Sequence, residues 1–189
     1  MEGWWAASYA VLWLLVVMLC VVVVALARQI GALHLRLGPR GALEVDAEGP
    51  PLGAAMSPIE VTDLQGRSLT IGGAADPRLL LFVSPDCGLC AQVLPGLDAA
   101  RRHSDFTPLV VTDADPGEAG WAAQVTTATT VSSVDVVRSF DIPGTPYVVI
   151  LDENGVVTAK GTVNNLEQLE GLVTTAERRR ADRREAEVG

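Results

Sequence analysis

Two cysteines three positions apart, Cys87 and Cys90 in the run Cys87-Gly88-Leu89-Cys90, are the residues of this chain best suited to do chemistry. A thiolate is the nucleophile in disulfide exchange, and an ordinary cysteine ionises only near pH ~8.5, so a reactive pair needs a setting that favours the anion. The pair follows a continuous apolar run, Leu79-Leu80-Leu81-Phe82-Val83, and opens a stretch with helical spacing. A helix start offers unpaired backbone N–H groups and the positive end of the macrodipole. Separation by three lets Cys90 reach back to Cys87 within one turn. The spacing therefore predicts that Cys87 attacks a substrate disulfide and that Cys90 resolves the mixed disulfide.

Three other uses of a CxxC pair stay open on the residues alone. Structural zinc takes four ligands, and beyond the pair the chain has only Cys20, His34 and His103, at no recognisable spacing. A purely structural disulfide across two residues would constrain the unfolded chain little. Ser84-Pro85-Asp86-Cys87 has a faint likeness to the Thr-x-x-Cys of peroxiredoxins, which need an arginine beside the cysteine and usually a distant resolving partner. A second element, Asp141-Ile142-Pro143-Gly144-Thr145-Pro146-Tyr147, leads into an apolar run. A loop ending in X-Pro before a sheet strand is a candidate cis-proline site or an ordinary proline-rich turn.

The elements that must hold these residues are legible. Ile59–Thr62 and Ser68–Ile71 alternate around Gln65-Gly66 and predict a hairpin. Arg78–Val83 predicts a buried central strand, Gly88–Arg102 a helix, Leu109–Thr112 a second buried strand, and Gly117–Val125 a weaker helix. Val131–Phe140 reads as strand then helix. Tyr147–Leu151 and Val156–Lys160 read as strands joined by a turn at Asp152-Glu153-Asn154-Gly155, and Leu166–Glu177 as a closing amphipathic helix. The order predicts an α/β domain with a central mixed sheet.

Around this domain the chain carries an apolar start and a charged end. No charged residue occurs from Gly3 to Ala27. Those positions make a helix of about 37 Å at ~1.5 Å per residue, longer than the ~30 Å hydrocarbon core of a bilayer. Trp4, Trp5 and Tyr9 sit near one end, as interfacial aromatics do. Ala25-Leu26-Ala27 has the look of a signal-peptide cleavage site. However, the apolar run is long for a signal peptide and no Lys or Arg precedes it. The expectation is an uncleaved anchor that reaches the membrane through residues 3–27, with Cys20 as an apolar membrane-facing thiol. The expected organisation is an anchor and juxtamembrane helix over 1–40, broken at Gly38-Pro39-Arg40-Gly41. A Gly/Pro-rich linker follows over 41–57, then the α/β domain over 58–177 and a charged tail over 178–189. The tail, with five arginines among its acids, reads as a solvated helical end or as a basic patch for acidic lipid. Residues 41–175 hold 18 acids and 6 bases, a balance of −12. That sign excludes a nucleic-acid partner, which needs phosphates neutralised.

The redox pair after a buried strand, Pro95 eight residues beyond Cys87, and Gly144-Thr145-Pro146 before a β-hairpin together resemble thioredoxin. The early hairpin around Gly66 and the Ile150–Gly155 turn resemble its membrane-tethered TlpA branch. Closer still, several segments resemble the methylamine utilisation protein MauD family. They are Leu26–Gly31, Leu33-His34, Gly41-Ala42-Leu43, Phe82-Val83-Ser84-Pro85, Ala159-Lys160-Gly161 and Val163-Asn164-Asn165. The resemblance implies a thioredoxin-like fold with an added N-terminal β-hairpin. It implies that Pro95 kinks the active-site helix and that Pro146 is a cis-proline packed against the redox pair, presenting backbone to substrate, with Thr145 beside it. It also implies a membrane-anchored thiol–disulfide oxidoreductase with no cofactor beyond the Cys87–Cys90 disulfide and no metal. Its partners would be a disulfide-bearing client, namely the small subunit of methylamine dehydrogenase, and a redox donor or acceptor. There are departures: Asp86 stands where thioredoxin has Trp, Leu81 where it buries an acid, and Gly88-Leu89 where it has Gly-Pro. Asp86 close to the sulfur would oppose the thiolate. A binding or chaperone module on the same scaffold is the alternative. Arg28, Arg36 and Arg40 after the anchor favour a cytoplasmic domain by charge bias. Disulfide chemistry favours the opposite, extracytoplasmic (periplasmic) side, and that is the expectation.

Overall fold

The computed structural model describes residues 2–36 and 48–188. It divides into two units, residues 1–39 and 40–189. The described residues of the first form one helix, α1 (Glu2–Arg36). Within it Gly3–Val23 is long and apolar enough to cross a membrane. The helix break expected at 38–41 and the first part of the expected linker, 41–47, lie outside the described residues.

The second unit is built on a five-stranded sheet of order β5-β4-β3-β6-β7. Its strands are β3 (Arg78–Phe82), β4 (Thr107–Thr112), β5 (Thr129–Ser132), β6 (Tyr147–Leu151) and β7 (Val157–Thr162). β3 is central, parallel to β4 and antiparallel to β6, so the sheet is mixed as expected. Leu79 through Phe82 are all fully buried, which explains a continuous apolar run in place of alternation: a strand covered on both faces needs apolar side chains on both. Leu79, Leu81, Val148, Ile150 and Ala159 face a layer formed by helices α2 (Cys90–Val93), α3 (Pro95–His103) and α6 (Leu166–Val188). Leu80, Phe82, Tyr147, Val149 and Leu151 face a second layer, which includes Phe140 of α5 (Val134–Phe140) and Ile71. Helix α4 (Pro116–Val125) connects β4 to β5.

Both sheet edges are covered, as exposed edges require. The hairpin β1 (Ile59–Thr62)–β2 (Ser68–Ile71) forms where the alternation put it. It meets the β5 edge through an Asp63–Val131 bridge and a Leu64 N–H to Thr130 carbonyl bond of 3.0 Å. At the turn, burial pushes the Asp63 carboxyl up. Hydrogen bonds from the Arg67 backbone and side chain and from the Gln65 N–H outweigh it and hold the carboxyl below its usual range. At the other edge, residues 53–56, read from their Gly and Pro content as linker, run beside the start of β7. Gly53 N–H donates to Val157 carbonyl at 2.9 Å, Val157 N–H to Ala54 carbonyl at 3.0 Å, and Met56 N–H to Gly155 carbonyl at 2.9 Å.

Two further differences have plain causes. The helix expected over Gly88–Arg102 starts at Cys90 and is broken between Val93 and Pro95. Proline at 95 has no N–H to donate and its ring crowds the carbonyl four residues back. The charged stretch is helical, α6 continuing through Val188, but several of its arginines reach back to the domain. Arg180 pairs with Glu153 at 2.7 Å, Arg184 with Glu153 at 2.8 Å and Arg183 with Asp152 at 2.5 Å. Arg179 donates to the Thr158 carbonyl at 2.9 Å and Arg180 lies over the Phe106 ring.

Candidate functional site

The site lies at the end of the sheet where the parallel strands terminate. β3 ends at Phe82 and the chain turns through Ser84-Pro85-Asp86, with the Cys87 N–H bonded to the Ser84 carbonyl at 3.1 Å. Cys87 is half-buried at the surface and Cys90 is fully buried in the layer of α3 and α6. They are joined as a disulfide, with Cα atoms 5.4 Å apart. The Cys90 backbone N–H points at the Cys87 sulfur from 3.2 Å. Such a donor is available to a thiolate at Cys87, because a hydrogen bond to the charged form favours that form. Gly88 and Leu89, between the cysteines, are exposed, Leu89 by 44%. Asp86 is exposed as well, so its carboxylate stands in water next to Cys87 in sequence. Leu81 is buried with Cys90 in one core cluster, so the position behind the pair carries no acid.

The helix that carries Cys90 is fixed at several points. Pro95 sits at the first position of α3 on the exposed side, and the Leu94 N–H still reaches the Cys90 carbonyl at 3.0 Å. Gly96 permits close approach to α6: a Cβ there would meet Leu166 and Leu169 methyls at 3.0 Å. Asp98 ties α3 to the loop before β5. It accepts from Thr127 Oγ1 at 2.6 Å, Thr127 N at 3.1 Å and Thr126 Oγ1 at 3.2 Å. These bonds, the Thr127 hydroxyl foremost, hold its carboxyl below the usual range.

Pro146 immediately precedes β6, whose first residue, Tyr147, is the register partner of Phe82. The proline is thus at the sheet end from which the chain leads to Cys87. The Thr145–Pro146 peptide is cis, Pro146 is buried and Thr145 half-buried. The Pro146 carbonyl accepts from Val163 N–H at 3.2 Å. The sequence-derived residues Asp86, Cys87, Cys90, Thr145 and Pro146 therefore belong to one end of the sheet. Pro95 is one turn down the helix.

Sequence reasoning did not single out Lys160 as a buried residue. It is the single lysine of the chain, and it is fully buried in β7. Its Nζ donates to the Glu48 carbonyl at 2.7 Å, and Tyr147 Oη donates to the same carbonyl at 3.0 Å. The available signal was a lone basic residue within the strand segment Val157-Thr158-Ala159-Lys160-Gly161.

No protein-family model matches the chain. Among curated proteins it is similar to the methylamine utilization protein MauD of Methylorubrum extorquens, with 34% identity over 88% of this chain and 84% of that one. It is likewise similar to MauD of Paracoccus denitrificans, with 34% identity over 92% and 89%. Among solved structures it is similar to the thioredoxin domain of a thiol-disulfide oxidoreductase from Bacteroides vulgatus. The TM-score is 0.55 and the identity 22%, covering 68% of this chain and 97% of that one. A secreted Mycobacterium tuberculosis disulfide oxidoreductase matches with TM-score 0.50 and 24% identity, covering 61% and 94%. The fold is thioredoxin-like, as the sequence resemblance implied.

Proposed function

Since the chain belongs to the methylamine utilisation protein MauD family, we propose that it is a thiol–disulfide oxidoreductase working through Cys87 and Cys90. The observation that carries this reading is the asymmetry of the pair: one disulfide joins a surface sulfur, Cys87, to a fully buried one, Cys90. In the reduced protein the Cys87 thiolate attacks a client disulfide. The client S–S bond breaks, a Cys87–client S–S bond forms, and the released client thiolate takes up a proton. The Cys90 thiolate then attacks the Cys87 sulfur, which frees the second client thiol and restores the Cys87–Cys90 disulfide. Two electrons pass from the pair to the client. The reverse sequence oxidises the client, and the reduction potentials of the two pairs set the direction. Pro146 and Thr145, at the same end of the sheet as the pair, contact the client backbone.

The client is a disulfide-bearing protein, namely the small subunit of methylamine dehydrogenase. The family name supports a place in methylamine utilisation, and the disulfide chemistry supports a protein substrate. The domain works on the extracytoplasmic side, held to the membrane by α1, where disulfides persist. The test is a trap: Cys90→Ala in the full chain, expressed in its native host under methylamine growth, with acid quenching. A reducible adduct of Cys87 with the dehydrogenase small subunit is the expected result. An adduct with another protein would refute the client, and no adduct with an unreactive Cys87 would refute the chemistry and favour a binding module.

A further inference from the structure

We infer that Lys160 and Tyr147 are positioning residues: by gripping the carbonyl of Glu48 they fix the strand that begins directly after Pro146. The inference rests on the thiol–disulfide reading above and concerns how its client-contacting loop is held.

Three observations meet at this point. First, Tyr147 is fixed at both ends. Its backbone pairs with Phe82 on one side and Thr162 on the other, and its hydroxyl donates to Glu48. Second, Lys160 pairs in register with Val149 on the strand next to it. Val149 and Tyr147 belong to the core layer opposite the one that packs the cysteine helix. A fully buried amine is costly unless satisfied, and here its Nζ reaches the same Glu48 carbonyl at 2.7 Å. Third, the segment bearing that carbonyl is itself seated. Gly49 has φ +69°, and a Cβ there would lie 2.8 Å from Tyr147 Oη. Pro50 is buried, Leu52 and Met56 pack on the core layer, and residues 53–56 bond to the β7 edge.

The physical consequence follows from the cost of release. If the Glu48 carbonyl withdrew, a buried hydroxyl and a buried amine would each lose an acceptor. The segment therefore holds the start of β6 in one place. Thr145 and Pro146 lie two and one residues ahead of Tyr147, so the backbone offered to a client is held with it. The cysteines are carried by a different element, on the other face of the sheet. Loosening the grip should weaken client docking and leave the intrinsic reactivity of the pair alone.

The experiment uses the full chain in detergent micelles, with Tyr147→Phe and Lys160→Met as separate variants. The substrate is a peptide dimer joined by one disulfide and the reductant is dithiothreitol. Three quantities are read: KM and kcat for the peptide, and the rate at which dithiothreitol alone reduces Cys87–Cys90. The expected result is a three- to tenfold rise in KM in both variants, with kcat and the dithiothreitol rate within twofold of wild type. An unchanged KM in folded Tyr147→Phe would overturn the inference. So would equal losses in the peptide reaction and the dithiothreitol rate, which mark general disruption. Tyr147→Phe keeps its ring and decides the matter where Lys160→Met does not fold. A wild-type chain that dithiothreitol reduces but that never turns over the peptide would sink the oxidoreductase reading, and the inference with it.

Discussion

Replacing Glu153 with Gln should remove a pH-dependent part of the stability that seats the end of α6. Burial pushes the Glu153 carboxyl up, but hydrogen bonds from its own backbone N–H, Arg184 and Arg180 outweigh it and bring it from 4.5 to about 2. A group whose pKa is depressed on folding stabilises the fold fully above its unfolded value. It loses that contribution as pH falls through the folded value. The window is therefore pH 4.5 down to about 2. A shift of that size corresponds to at most about 3.4 kcal/mol at ~1.36 kcal/mol per pH unit. The Glu153 side chain is 35% exposed, and solvent screening reduces the usable part to about 1–2 kcal/mol. For a domain of this size that is a Tm difference of roughly 3–8 °C. The assay is thermal unfolding of the full chain and Glu153→Gln in detergent, at steps from neutral pH down to about 2.5. The wild type should melt higher at neutral pH, and the difference should close as the solution is acidified through the window. A difference that is absent at neutral pH, or that stays constant or grows on acidification, would refute the argument that the arginines of α6 are docked on this carboxylate.

Other outcomes follow from particular contacts. Gly155 has φ +72°, and a Cβ there would sit 2.5 Å from the Gly73 backbone N and 2.6 Å from its O. Gly155→Ala should therefore cost at least about 2–3 kcal/mol, read as a lower denaturation midpoint with unchanged m. Leu97 is fully buried between α3 and the sheet, so Leu97→Ala should cost about 3–4 kcal/mol by the same assay. In the reduced chain, with Cys20→Ala to remove the third thiol, iodoacetamide should label half-exposed Cys87 well before fully buried Cys90. Peptide mass mapping over time checks the order, and equal labelling rates would count against the assigned roles.

How far the sequence could be read depended on whether a signal was local. The run Leu79–Val83 and the alternation around Gln65-Gly66 announce a buried strand and a hairpin because their own residues carry the pattern. The cysteine pair announces its chemistry because strand, turn and helix follow one another within a dozen residues. What escaped was long-range. The arginines of 178–184 read as solvated, since their partners Asp105, Asp152 and Glu153 lie far away in the chain. Residues 48–57 read as linker because Gly and Pro usually mark one, yet Gly49 and Gly53 provide the positive φ that lets the segment follow β7. Lys160 was placed in a strand without its burial being seen, because nothing near it in sequence shows that a carbonyl 112 residues earlier accepts from its amine.

The central claim is that Cys87 exchanges disulfides and Cys90 completes the exchange. Its most direct test is a pair of single variants, Cys90→Ala and Cys87→Ala, both in the full chain with Cys20→Ala, mixed after reduction with a peptide carrying one disulfide. Intact mass, followed by mapping of the linked cysteine, reads the product. The account predicts a stable mixed disulfide at Cys87 in Cys90→Ala and none at Cys90 in Cys87→Ala. An adduct at Cys90 in the second variant, or no adduct in the first, would contradict it.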